Sequence, residues 1–264
     1  YLSRIAKKVL LIHRRDTLRA TKIYHEPLKN AENIEFLWNS QVSSFTAESR
    51  VNGAIVKNTL SNEEFKIDCD AIFVSIGRRP ETDIVKDIIE LDENGYIIAD
   101  ETTKTNIDGV YAIGDVNGHH MLAHTAYREA EVAVNTILGK PDFMRYHANP
   151  SVIYTQPEIA SVGRTEEECK EKGIDYEVQK LSMRYSGRFV AENEGGDGLC
   201  KVIIDKKRRT VLGVHLIGSY AGEIIWGAAE MLELQLRVTD ARQIIFPHPT
   251  VSEIIREVLW EFAD

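Results

Sequence analysis

Val9-Leu10-Leu11-Ile12 is an apolar run with no polar position alternating into it, and Ala71-Ile72-Phe73-Val74-Ser75-Ile76 is a second, interrupted only by Ser75 and stopped by Gly77. A strand that alternates has one covered face. A strand that does not alternate reads as covered on both, the condition of parallel sheets in α/β folds. The residues around the two runs supply matching elements. Tyr1 to Lys8 reads as the last turns of a helix, with Arg4, Lys7 and Lys8 placed to suit its dipole. Residues 23–29 are helix-like despite Pro27, and Ile34-Glu35-Phe36-Leu37-Trp38 alternates in part, as a strand does. Residues 53–56 and 64–67 flank Ser61-Asn62 as a hairpin. Helix, strand, helix, strand, hairpin and strand over residues 1–80 predict an α/β nucleotide-binding unit with an antiparallel excursion.

A second unit is expected over 81–148. Asp92-Glu93-Asn94-Gly95-Tyr96 is a turn, Val110-Tyr111-Ala112-Ile113 a strand signal, and 123–138 an Ala-rich helix closed by Gly139 and Pro141. In 149–264 strand signals fall at 152–154, 176–181, 199–204 and 211–217, and helical ones at 165–172, 223–234 and 252–263. Strands and helices are more segregated there than alternated, which makes α+β the expected class. The helix at 223–234 is apolar enough to belong to a core or a subunit interface. Gly195-Gly196-Asp197-Gly198 reads as a hairpin loop.

Composition narrows the function classes. With 41 acidic and 32 basic side chains the net charge is −9, against the basic surface that nucleic-acid binding demands. No stretch approaches the ~18–20 apolar residues of a membrane span, so no membrane partner is expected. Cys69, Cys169 and Cys200 are far apart and odd in number, with no disulfide framework, zinc pattern or C-x-x-C pair. Reduced thiols in the cytoplasm are the plain reading, and no metal is expected. The chain opens at Tyr1 inside a helix signal rather than at a capped start, so a piece of a longer protein is expected.

Three short strings carry chemistry. After the strand signal at 110–113 come Gly114 and Asp115. The glycine permits close backbone approach. An aspartate beyond a strand's carboxyl end stands where α/β folds bind ligands, and accepts hydrogen bonds from sugar or ribityl hydroxyls. Gly-Asp alone is more plainly a turn. Thr105 upstream, and Met121-Leu122-Ala123-His124-Thr125-Ala126 opening a helix downstream, change that balance, because helix amino-terminal amides can face an anion or an electron-rich ring. In Phe246-Pro247-His248-Pro249-Thr250-Val251-Ser252-Glu253 a carboxylate lies five residues beyond a histidine, with Thr250 or Ser252 suited to cap the helix that bears it. A histidine that moves protons near neutral pH needs such a partner; a surface histidine ahead of a helix is the bland alternative. Arg14, Arg15 and Arg19 follow the first apolar run. Their planar forks suit a phosphate, and a solvated basic turn is the alternative. His215 lies in an apolar strand signal and reads as packing, while His25, His119, His120 and His147 form no constellation.

Together these strings resemble the FAD-dependent pyridine nucleotide–disulfide oxidoreductases. Thr105 followed by Val110-Tyr111-Ala112-Ile113-Gly114-Asp115 is similar to that family's second flavin-binding motif. The resemblance implies that Gly114 and Asp115 face the ribityl chain of FAD and that Leu122, Ala123 and His124 lie at the flavin edge. His248-Pro249-Thr250-Val251-Ser252-Glu253 resembles the His-Pro-Thr-x-Ser-Glu signature of the dihydrolipoamide dehydrogenase branch. That implies His248 as the acid/base for a substrate dithiol and Glu253 as the carboxylate that orients it. Ser75-Ile76-Gly77-Arg78-Arg79-Pro80 is similar to the segment closing the nicotinamide domain, with Gly77 near the dinucleotide. In such a domain an acidic residue after the second strand takes the ribose of NAD, whereas arginine accommodates the 2′-phosphate of NADP. Arg14, Arg15 and Arg19 thus suggest NADPH, as in thioredoxin reductase, while the branch favours NAD, so both stay open.

The fold implied is a partial Rossmann-like nicotinamide domain (1–80), a remnant of the FAD or central domain (81–148) and an α+β dimerisation domain (149–264). The implied reaction sends electrons from a dithiol such as dihydrolipoamide through an enzyme disulfide and FAD to NAD or NADP, in a homodimer whose partner subunit supplies the base. The 264 residues hold neither a G-x-G-x-x-G loop nor a C-x-x-x-x-C pair. Residues 1–80 are therefore expected to lean on a further segment or to be poorly ordered, and 150–264 to stand alone as a dimer. Two rivals remain: an NADPH disulfide reductase of thioredoxin or glutathione type, and a dimerisation module inactive by itself.

Overall fold

A computed structural model describes residues 1–20 and 24–263, which fall into two compact units, Tyr1–Arg78 and Arg79–Asp264. In the first, α1 (Leu2–Ile5) leads into β1 (Val9–Ile12), and α2 (His25–Lys29) into β2 (Ile34–Leu37). Residue 23, where the expected second helix began, lies outside the described residues. Pro27 falls in the first turn of α2, where a helix has no use for the missing N–H. β1 and β2 pair in parallel from Val9↔Ile34 to Ile12↔Leu37. Asn33 fixes the entry to β2 by donating through Nδ2 to the carbonyls of Ser3 and Ala6, at 2.9 and 2.8 Å.

An antiparallel sheet follows, in the order β3 (Ser40–Ala47), β4 (Val51–Asn58), β5 (Glu64–Asp68). β4 and β5 are the expected hairpin, and Asn58 Oδ1 holds its turn by accepting from the amides of Leu60 and Ser61. β3 was not expected; its polar Ser-Gln-Val-Ser-Ser pattern leaves most of it exposed. Two expectations are corrected. β1 is half-buried at each position rather than covered on both faces, because a two-stranded sheet leaves each strand an open side. Residues 71–76 form no strand, and Phe73, Val74 and Ile76 are exposed. Apolar runs say what a strand would bury, but not whether an edge stands ready to pair with it.

The second unit begins with turns over 79–113, held by single bridges at Leu91↔Ile97 and Lys104↔Tyr111 around buried Ile89, Ile97 and Ala112. The strand expected at 110–113 is therefore reduced to one bridge. A 3-10 turn at Gly114–Asn117 precedes α3 (Ala123–Ile137), which ends before Gly139 at φ +70°. Next come β6 (Ser151–Ile153), β7 (Ile159–Gly163), α4 (Glu166–Glu171), β8 (Tyr176–Ser182), α5 (Gly187–Glu192), β9 (Leu199–Asp205), β10 (Val211–Ile217), α6 (Ala221–Glu233), α7 (Val238–Ala241) and α8 (Glu253–Trp260). The strands form one antiparallel sheet in the order β6-β7-β10-β9-β8. β7, whose short alternation follows Pro157, was missed. The loop at 195–198 is not a hairpin turn, since α5 intervenes between β8 and β9.

The main core joins this sheet to its helices: Val202, Ile204, Val214 and Leu216 meet Ile225, Ala228, Met231 and Leu232 of α6, and Ile254, Ile255, Val258 and Leu259 of α8. Thr165 and Glu168 close a capping box at the start of α4. The sheet is tightly packed at Gly163, φ +78°, where an added Cβ would lie 2.2 Å from both the Leu212 carbonyl oxygen and Leu232 Cδ2. Gly163→Ala is therefore expected to cost about 2–3 kcal/mol, read as a lower urea midpoint at unchanged slope.

Candidate active site

The buried residues of α8 fix its first residue. Ile254, Ile255, Val258 and Leu259 are all fully enclosed, which sets the helix's rotation and turns Glu253 toward the preceding loop. Glu253 Oε1 lies 2.9 Å from His248 Nδ1, and Oε2 accepts the Thr250 amide at 2.9 Å. The expected cap is corrected: Ser252 is the N-cap residue but makes no side-chain cap bond, because its hydroxyl pairs with Thr250 Oγ1 at 2.7 Å. Thr250 Oγ1 also donates to the Pro247 carbonyl at 2.7 Å. The amide of Thr250, then the pairing with His248, hold the Glu253 carboxyl below the usual carboxylate range against the opposing effect of burial. The imidazole itself is 79% exposed. A carboxylate on Nδ1 selects the tautomer protonated there, which leaves Nε2 as the outward nitrogen able to accept a proton.

A second cluster surrounds Gly114 and Asp115. Gly114 has φ +73°, and a Cβ there would touch Ala126 Cβ at 3.4 Å, so the turn lies close against α3. Its amide donates to Glu129 Oε2 at 2.5 Å. Glu129 is wholly buried, and its Oε1 accepts from Asn117 Nδ2 at 2.9 Å and from the Tyr146 hydroxyl at 2.8 Å. Burial, then the bond to Glu129, push the Tyr146 phenol up. His119 and His120 stack on that ring at 4.9 and 5.5 Å, so two histidines set aside in the sequence belong to a cluster after all. Burial lowers His120. Asp115 is exposed, Leu122 is the half-buried N-cap of α3, and Ala123 and His124 are exposed in its first turn. No side chain caps that helix end, and His124 Nε2 sits 2.8 Å from the Pro150 carbonyl. An outward carboxylate on a clamped turn, with open helix amides on the helix it packs against, fits a group that presents hydroxyls and an electron-rich ring edge.

In the first unit Arg14 and Arg15 leave the carboxyl end of β1 and are exposed, as is Arg19. The Arg15 amide donates to His13 Nδ1 at 3.2 Å, and the His13 carbonyl accepts from Ser40 at 3.1 Å, so the turn is anchored while the guanidinium groups stay outside. Gly77 has φ +103° and no atom within 4 Å of where a Cβ would stand, so no close packing holds it beside the arginines. His215 Nε2 lies 3.0 Å from the Arg164 carbonyl, and burial lowers its pKa, the packed role expected of it. All three cysteines are free, and burial pushes the Cys200 thiol up. Among the described residues no cluster could hold a metal ion, and no helix is long and apolar enough to cross a membrane.

Glu129 and Ser186 escaped the sequence reading. Glu129 was visible as an acid on the buried stripe of α3, shared with Thr125, Val132 and Ala133. Ser186 had no such signal, because its partner lies far along the chain.

Comparison with known proteins shows the family of the chain. The sequence model of the pyridine nucleotide-disulphide oxidoreductases matches residues 1–130, and that of the dimerisation domain of the same proteins matches 149–259. The mitochondrial dihydrolipoyl dehydrogenase of Caenorhabditis elegans is 35% identical over 229 residues, 86% of this chain and 46% of that protein. The dihydrolipoyl dehydrogenase of Trypanosoma brucei brucei is 41% identical over 195 residues, 72% of this chain and 40% of that protein. The chain thus spans about half the length of the curated relatives it matches. The crystal structure of LpdA from Mycobacterium tuberculosis superposes with a TM-score of 0.76 at 21% identity, covering 98% of this chain and 57% of that one. The HOCl-induced flavoprotein disulfide reductase RclA from Escherichia coli gives 0.71 at 21%, covering 99% of this chain and 61% of that one. By its sequence along nearly its whole length, and by its fold, the chain belongs to the pyridine nucleotide-disulphide oxidoreductase family.

Proposed function

We propose that the chain forms the nicotinamide-facing (1–80), flavin-contacting (81–148) and dimerising (149–264) parts of a dihydrolipoyl dehydrogenase-like flavoenzyme of the cytoplasm. It would oxidise a dithiol such as dihydrolipoamide and reduce NAD or NADP. The observation that carries this reading is the exposed imidazole of His248, held at Nδ1 by Glu253 at 2.9 Å. Dithiol chemistry needs that arrangement, because the thiolate is the nucleophile and its proton must go to a base. His248 Nε2 accepts the proton as the dithiol sulfur attacks an enzyme disulfide, and Glu253 steadies the imidazolium. Cys69, Cys169 and Cys200 are free and form no disulfide with one another.

Asp115 would accept from the ribityl hydroxyls of FAD, with Gly114 beneath and the amides around Leu122, Ala123 and His124 at the ring edge. Bound FAD supplies the two-electron acceptor between sulfur and nicotinamide. Arg14, Arg15 and Arg19 would meet the adenosine end of the dinucleotide. Their forks favour the 2′-phosphate of NADP, the point on which a reductase of thioredoxin or glutathione type stays a rival. A homodimer through the last domain is supported by exposed Trp226, Leu234 and Ile245 within the region matched to the dimerisation domain.

Turnover tests the reading. In the holoenzyme, His248→Gln is expected to lower dihydrolipoamide oxidation by about 10²–10⁴-fold; unchanged turnover excludes His248 as the base. Faster turnover with glutathione or thioredoxin would select the rival, and no turnover with any dithiol would leave a dimerisation module.

Removing Glu129 should disturb the flavin-facing turn. Glu129→Ala leaves the Gly114 amide, the Asn117 amide group and the Tyr146 hydroxyl unpaired, at a cost of about 3 kcal/mol. A lower thermal midpoint and weaker retention of FAD are expected together.

Glu253 makes stability depend on pH. Its folded pKa lies below its ordinary value, so ionised Glu253 stabilises the fold at neutral pH, and that contribution fades as pH falls through the folded pKa. Glu253→Gln should cost about 1 kcal/mol at pH 7, with the gap to wild type closing below about pH 4 in urea titrations.

A further inference from the structure

We propose that Ser186 is a positioning residue that sets the His248–Glu253 pair through the backbone of Thr250. The inference rests on the reading of His248 as the base. Ser186 is 1% exposed, between the equally enclosed Met183 and Phe189. Its hydroxyl has two partners of opposite kind. Oγ accepts the Phe189 amide at 3.2 Å, capping α5, and donates its one hydrogen to the Thr250 carbonyl at 3.0 Å. Thr250 in turn donates its amide to Glu253 Oε2 at 2.9 Å, while Oε1 of the same carboxylate faces His248 Nδ1. The backbone of Thr250 is thus gripped on both sides, by Glu253 at its N–H and by Ser186 at its C=O.

The other hydrogen bonds of this loop are local. Thr250 Oγ1 reaches Pro247 and Ser252, and the Ile254 amide reaches the Val251 carbonyl. Among the described residues, the Ser186 bond is the one that ties residues 247–252 to an element distant in sequence. Val251 is buried and anchors the loop by packing, but the peptide plane between Thr250 and Val251 takes its hydrogen bond at the Thr250 carbonyl from Ser186. The hydroxyl of Ser186 holds that plane, and through the Thr250 Cα it restrains the neighbouring plane whose amide fixes the carboxylate. The Thr250 amide is also the foremost influence on the Glu253 carboxyl, with the titratable His248 and the cationic Arg256 facing it.

The readout is the tautomer of neutral His248, from ¹⁵N shifts of [¹⁵N]histidine-labelled protein at alkaline pH. Glu253→Ala is the reference, and should move the ring from the Nδ1–H toward the Nε2–H form. Ser186→Ala, confirmed folded by circular dichroism, is expected to give at least half of that movement and to speed Thr250 amide exchange about fivefold. Ser186→Thr, which keeps the hydroxyl, should retain the wild-type tautomer. A folded Ser186→Ala protein with wild-type tautomer and exchange overturns the proposal, as does a folded Ser186→Thr protein that behaves like Ser186→Ala. Should neither variant fold, the wild-type protein decides. A slowly exchanging Ser186 hydroxyl proton with an isotope shift on the Thr250 carbonyl carbon supports the bond, and its absence overturns it. If Glu253→Ala itself leaves the tautomer unmoved, the His248–Glu253 pair fails, and with it the reading on which the proposal rests; if only Ser186→Ala does, the pair stands and the role of Ser186 falls.

Discussion

One carboxylate, at the first residue of a helix whose inner face is sealed, organises the candidate active site. Glu253 uses one oxygen for an imidazole and the other for a backbone amide. A carboxylate given only the imidazole could swing with it into solvent, since His248 is 79% exposed. The second bond removes that freedom, and the apolar side chains behind it forbid the helix to turn. An exposed imidazole can be well oriented only if the order comes from below, and here it comes from Ile254, Ile255, Val258 and Leu259 through Glu253.

Glu129 solves a related problem in the opposite setting. A wholly buried carboxylate is costly unless its lone pairs are filled. Three donors engage both oxygens, from the Gly114 turn, from Asn117 and from Tyr146. These donors lie before and after α3 in the chain, so one side chain knits the turn bearing Asp115, the helix behind it and the segment leading to β6. Arg128, held in two bonds by Asp142, repeats the device nearer the surface, where the pairing holds the Asp142 carboxyl well below its usual range. The difference is exposure: Arg128–Asp142 closes a loop, whereas Glu129 decides where the backbone turn bearing Asp115 can stand.

What could be read in advance follows the range of the interactions. The pairing of His248 with Glu253 spans five residues, and the hairpin of β4 and β5 closes over a short turn, so local strings sufficed for both. The continuous runs at 9–12 and 71–76 looked alike, yet only the first found a strand to pair with. Pairing is a property of two segments and cannot be read from one. β7 was lost among short alternating residues, and Ser186 was out of reach because 64 residues separate it from Thr250. Glu129 was nearer to view. An acid repeating at helical spacing with Thr125, Val132 and Ala133 either breaks the core or has partners, and Glu129 has partners.

The two units differ in how far each satisfies itself. In Arg79–Asp264 an antiparallel sheet is backed by α6 and α8, and residues from every layer of it are fully enclosed. In Tyr1–Arg78 the strand β1 is half-covered throughout, and Phe73, Val74 and Ile76 are exposed on a segment that no strand pairs. An antiparallel sheet can complete its hydrogen bonding through hairpins and short returns, whereas a parallel sheet depends on crossovers that bring in each neighbour from afar. The physical consequence is a gradient of stability along the chain. The unit that presents His248 is held by its own core, and the unit that presents Arg14 and Arg15 leaves apolar surface exposed.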